Sequence, residues 1–164
     1  KKMRRRYSSK KYREAITTIR DTIPNVSITT DIIAGFPSET NYDFELTRDM
    51  CESIGFSDIH VFPYSLRPST SAAYLGETID PETKSQRVHT LLSVSQRHAT
   101  LERAKSIGLT RPVLWEKPAG PNNWTGLTDT YIRVSGYSPK QLANEITLAR
   151  LFKQDGDIVV ANII

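Results

Sequence analysis

Asp31 is the residue most suited to chemistry, because it interrupts an apolar strand. It sits in a run with the β-branched residues Val26, Ile28, Ile32 and Ile33, which suit a pleated, covered sheet position. A carboxylate buried among them costs several kcal/mol unless it is partnered. Gly35 and Pro37 stop the strand, one by allowing unusual backbone angles and the other by removing a donor. A polar loop at the carboxyl end of a covered strand is where α/β folds bind ligands. Tyr64 and Arg67 lie just past the end of a second strand, on that same side. Cys51 is the only cysteine and falls on the apolar face of a helix, so it reads as a small buried hydrophobe that holds no cluster alone. His60, His89 and His98 share no metal spacing and read as non-ligands, His60 least firmly because it opens a strand. No Ser-His-Asp or Cys-His set can be argued.

The elements that position these residues alternate. Residues 9–23 form an amphipathic helix with Tyr12, Ala15, Ile16, Ile19 and Ile23 on one face, capped by Ser8 or Ser9 and ended by Pro24. The Asp31 strand covers about residues 27–34. A second helix, residues 41–54, starts at Thr40 as cap with Asp43 in the capping-box position, and Gly55 suits its end. Residues 58–63 form the next strand. A long helix runs from Asp80 and Pro81 to residues 106–108, with Val88, Leu91, Leu92, Val94, Ala99 and Ala104 toward a core. Helix–strand alternation with short loops implies parallel strands and right-handed crossovers. Two strands make no complete sheet, so the chain is expected to be the carboxyl-terminal part of something larger. From residue 109 the pattern changes to short β-like runs at 112–116, 131–134, 145–152 and 157–163, broken by turns, which suggests a small barrel. There Trp115, Lys117, Trp124, Tyr131 and Arg133 could stack on or contact RNA. Trp115 reads rather as core, and Tyr131 is open between the two.

The 164 residues carry a formal net charge of +4, and 38% are hydrophobic, which is globular and not disordered. No apolar run reaches the ~20 residues that span a bilayer. No signal peptide is visible, and one cysteine excludes an internal disulfide framework, so the cytoplasm is the expected compartment. Basic residues crowd the start of the chain, either as an anion-attracting cluster or as a solvated approach to the first helix.

Four segments in order carry a resemblance. Residues 29–40, TTDIIAGFPSET, resemble the TTDII-GFPGET of the radical-SAM methylthiotransferases, which add a methylthio group to tRNA or to a ribosomal protein. Residues 3–7 are similar to that family's M-x-R-x-Y, and residues 60–73 to its HVFPYSPRPGTPAA. Residues 126–134 are similar to the G-x-T-x-x-Y-I-R-V of its C-terminal TRAM domain, most of all in the branch acting on threonylcarbamoyladenosine. The resemblance implies an α/β fold: the C-terminal part of a partial (β/α) radical-SAM barrel over residues 1–107, then a small all-β TRAM barrel over 108–164. It implies a tRNA methylthiotransferase using S-adenosylmethionine and 4Fe-4S clusters, acting as a monomer on tRNA and not on a membrane. The cluster ligands would lie outside this chain, which lacks the family's CxxxCxxC loop and would be inactive alone. Arg5, Asp31, Gly35 and Val61 would hold S-adenosylmethionine: Asp31 by the ribose hydroxyls, Arg5 by the methionyl carboxylate, Gly35 by close backbone approach to the adenine. Tyr64, Arg67, Lys117, Tyr131 and Arg133 would meet RNA. The competing readings are a structural aspartate at 31, a turn glycine at 35, a generic basic residue at 5, and a packed tyrosine with a surface arginine at 64 and 67. Ser38, Ser69 and Ser71 replace residues of the family pattern, which puts the loop shapes in question. A non-enzymatic RNA-binding module, or an enzyme acting on a ribosomal protein, are the alternatives.

Overall fold

The structure is a computed structural model and describes residues 3, 5–76 and 78–164. The chain divides into two compact units, Lys1–Ala99 and Thr100–Ile164.

In the first unit, α1 (Ser9–Thr22) starts where the Ser8 hydroxyl accepts the Lys11 amide, one of the donors a helix start leaves unpaired. β1 (Thr29–Ala34) follows, then α2 (Asn41–Ile54). Thr40 and Asp43 form the expected reciprocal capping box, and Gly55 ends the helix in the left-handed region. The Arg20 guanidinium donates to the carbonyls of Ile54 (2.6 Å) and Gly55 (2.7 Å), placing a cation on the negative end of α2. β2 (Asp58–Pro63) pairs with β1 in parallel, and α3 (Pro81–Ser106) begins with the Asp80 carboxylate accepting the Thr83 amide. Ile16, Cys51, Ile54, Phe56, Ile59 and Leu91 are among the side chains that fill the core on the helix side of this two-stranded sheet. The α1 stripe is only partly covered: Ile16 is buried, while Ile19 and Ile23 are exposed.

The second unit is a closed five-stranded barrel of β3 (Thr110–Gly120), β4 (Asn123–Thr128), β5 (Arg133–Tyr137), β6 (Ile146–Asp155) and β7 (Ile158–Ile163). The order is β3-β4-β5-β7-β6, with only the β5–β7 pair parallel. Closure removes free sheet edges. Trp115 and Trp124 both lie in the core, and the buried indole N–H of Trp115 donates to the Thr147 hydroxyl at 2.9 Å. Trp115 is core, as its reading favoured, and the burial of Trp124 corrects the expectation that its ring could stack on RNA. β4 was no expected strand. Its inward residues are Trp124, Gly126 and Thr128, so the apolar alternation that marks a strand is missing. Gly126 is required there because a Cβ would run into the Leu114 carbonyl oxygen, and a Cβ on Gly136 would lie 2.7 Å from the Trp115 ring. Among the described residues no helix is long and apolar enough to cross a membrane.

Gly126→Ala pushes a methyl against rigid backbone. It is expected to destabilise the barrel by about 1–3 kcal/mol in urea unfolding; unchanged stability would contradict this packing.

Candidate functional site

The β1–β2 register places Asp31 beside His60 and Ile33 beside Phe62. Side chains alternate across a strand, so these four share one face, and Ile32, Ile59 and Val61 turn to the other, where the helices pack. No described helix covers the Asp31 face: Asp31 and His60 are exposed, and Phe62 is 50% exposed. Two expectations change. Asp31 is exposed in this chain and not a buried carboxylate. Val61 packs in the helix-side core and cannot share a ligand surface with Asp31. His60 does share it, with Nδ1 3.9 Å from an Asp58 carboxylate oxygen.

The loops after the two strands are tied together. The Tyr64 amide donates to the Ala34 carbonyl at 2.8 Å, and the Phe36 and Tyr64 rings meet edge-to-face at 5.5 Å. Tyr64 is 7% exposed, and its hydroxyl donates to the Ala72 carbonyl at 3.2 Å. Its ring is therefore packed and offers no open face to a base, which corrects its expected stacking role. Arg67 is exposed. Gly35 takes φ +76, and its N–H donates to Glu39 Oε2 at 3.0 Å, so that amide is engaged inside the loop. The serines in glycine positions take left-handed backbone: Ser38 has φ 65 and Ser69 φ 67. Left-handed backbone costs an L-residue roughly 1–2 kcal/mol. At Ser38 that is offset by its amide donating to Thr78 Oγ1 at 2.6 Å.

Three residues of this region were not singled out in the sequence: Glu39, Lys84 and Arg87. Arg87 is 5% exposed; its Nη1 donates to Glu39 Oε2 at 2.7 Å and its Nη2 to Asn41 Oδ1 at 2.9 Å. Lys84 Nζ donates to the Tyr64 carbonyl at 3.1 Å. The signal was present. Residues 84, 87, 91, 94 and 98 form one stripe at 3–4 spacing, and two cations continue the apolar line of Leu91 and Val94.

In the barrel unit, Tyr131 is 80% exposed and takes φ 63. The Thr128 hydroxyl fixes this turn by accepting the amides of Thr130 (3.3 Å) and Ile132 (3.0 Å). Tyr131 is thus a presented ring and not barrel core. Lys117 is exposed. Arg133 is ion-paired with Glu116, and Arg111 with Asp129 at 3.4 Å, so neither charge is uncommitted.

Arg5 is exposed in the segment before α1. Burial, and secondarily the Glu52 carboxylate, pushes the Cys51 thiol up to about 11. Among the described residues no group of His, Cys, Asp or Glu could hold a metal ion. The described donors therefore do not fit an iron–sulfur cluster. They do fit a nucleoside: an ionisable carboxylate and an imidazole lie side by side on an open face rimmed by Ile33 and Phe62.

The fold is an α/β unit joined in sequence to a small closed β-barrel. The chain belongs to the tRNA methylthiotransferases. It is 37% identical over 159 residues to a tRNA-2-methylthio-N(6)-dimethylallyladenosine synthase of Desulfitobacterium hafniense, covering 96% of this chain and 35% of that protein. A Corynebacterium diphtheriae protein of the same name is 41% identical over 123 residues, 75% of this chain and 24% of its own length. A threonylcarbamoyladenosine tRNA methylthiotransferase of Bacillus subtilis is 28% identical over 157 residues, 93% and 35% of the two chains. The chain thus spans about a third or less of the relatives it matches. No family model matches it.

Cys51 gives a pH signature. Below its ordinary value of 9.0 the thiol is neutral in both folded and unfolded chains; between 9 and about 11 only the unfolded thiol ionises. Stability is therefore expected to fall as pH rises through that window, by up to roughly 2–3 kcal/mol. Urea unfolding at several pH values checks it: Cys51→Ala should remove this part of the loss, and an identical slope in the variant would contradict it.

Proposed function

We propose that the full-length protein is a tRNA methylthiotransferase that adds a methylthio group to a modified adenosine beside the anticodon. Family membership, with relatives covering nearly the whole chain, is the observation that carries this reading. In it, residues 1–107 are the C-terminal portion of a radical-SAM (β/α) barrel and residues 108–164 are a TRAM domain. The protein works as a cytoplasmic monomer. S-adenosylmethionine, when bound next to a reduced 4Fe-4S cluster held outside this chain, supplies the radical and methyl chemistry. The residues of this chain bind and orient. Asp31 accepts the ribose hydroxyls in charge-assisted hydrogen bonds, and its exposure on the open face supports that role. Arg5, with its two-point fork, holds the methionyl carboxylate. Tyr131 stacks on an unpaired base of the tRNA, and Lys117 and Arg67 contact phosphates.

The names of the relatives divide between two nucleosides. Higher identity, 37% against 28% over similar lengths, favours dimethylallyladenosine, while the likeness of residues 126–134 favours threonylcarbamoyladenosine. One experiment tests the reaction and reads the nucleoside. Total tRNA from a deletion strain is digested and its nucleosides are resolved by mass spectrometry. The methylthio form of one of these adenosines should disappear, return with the full-length gene, and return at under about a tenth of the level with Asp31→Ala, since lost charge-assisted bonds cost roughly 1.5–3 kcal/mol. An unchanged nucleoside profile in the deletion strain would overturn the assignment.

A further inference from the structure

We propose that Lys84 and Arg87 of α3 are positioning residues that hold the loops after β1 and β2, and through them the carboxyl ends of the two strands of the open face, in working alignment. Neither touches the open face. They lie one turn apart, and each reaches a different loop. Arg87 donates to the Glu39 carbonyl (3.1 Å) as well as to the Glu39 carboxylate and Asn41, spanning the loop after β1. Its guanidinium also lies 5.4 Å from the centre of the Phe44 ring. The same Glu39 carboxylate takes the Gly35 amide, so the guanidinium, the carboxylate and the last turn of the Asp31 strand form one chain of bonds. Lys84 donates to the Tyr64 carbonyl after β2, and its stem fills the space beneath Gly35, where a Cβ would lie 2.8 Å from Lys84 Cγ. Further along α3, the Ser95 hydroxyl accepts the Ile59 amide at 3.0 Å and donates to Asp58 at 2.8 Å. α3 therefore grips β2 at both ends and β1 at its carboxyl end. A buried, multiply bonded arginine is a costly way to fill a core, because a hydrophobic residue of similar volume often serves as well or better. What the cations add is geometry: fixed bonds to loop backbone, where a misplacement of an ångström at a site can slow a reaction about a hundredfold.

The inference rests on the reading of the open face as the S-adenosylmethionine site. The test uses the full-length enzyme and Arg87→Lys, Lys84→Met and Lys84→Arg, with melting temperature and KM for S-adenosylmethionine and for tRNA measured together. Arg87→Lys keeps the charge and loses the fork. It should raise KM for S-adenosylmethionine roughly ten- to hundredfold while KM for tRNA stays within about threefold. Lys84→Met should lower activity, and Lys84→Arg should restore it. Parallel loss of both substrates in step with melting temperature, or variants equal to wild type, would overturn the inference alone. Failure of the wild-type enzyme to bind S-adenosylmethionine would overturn the reading of the site and this inference with it.

Discussion

The parallel pairing of β1 with β2 is the constraint on which the first unit depends. Its register matches Asp31 with His60 and Ile32 with Val61, and strand side chains alternate with a period of two. A slip of one residue would send Asp31 into the helix-side core and Ile32 into solvent. The register is held from the helix side, where Ile59, Leu91 and Phe56 are essentially fully buried. It is also held at the strand ends, by Ser95 at the start of β2 and by the Ala34–Tyr64 backbone bond beyond it. The polar face is thus defined by apolar packing on the opposite side.

Much of this was legible in the residues. The capping box at Thr40 and Asp43 and the bounds of β2 follow from local rules acting over a few positions. What could not be read was which way a side chain faced. Asp31 interrupts apolar neighbours, yet in a two-faced strand a neighbour in sequence lies on the other side, and the run of Ile32 and Ile33 hides the alternation. Tyr64 lies in the expected loop, but its burial depends on Phe36 and Ala72, contacts that sequence proximity does not announce. β4 lacks the strand pattern because a glycine stands where an inward apolar residue would. Arg87 is a charged residue on the buried side of its helix, against the ordinary assignment of charge to solvent.

The charges show the same dependence on partners. Composition gives a modest positive excess, but several arginines are committed to partners within the chain: Arg20 to the end of α2, Arg87 to Glu39, Arg103 to Asp157 and Arg133 to Glu116. Lys117 and Arg67 remain exposed. The two loop serines teach a related lesson. Ser38 and Ser69 occupy left-handed backbone that glycine adopts more easily.

The most direct measurement is a crystal structure of the full-length protein with S-adenosylmethionine bound. The adenosine is expected to lie over the face shared by Asp31, Ile33, His60 and Phe62, with the Asp31 carboxylate within hydrogen-bonding distance of the ribose hydroxyls. A cofactor seated elsewhere, with Asp31 left in solvent, would contradict it.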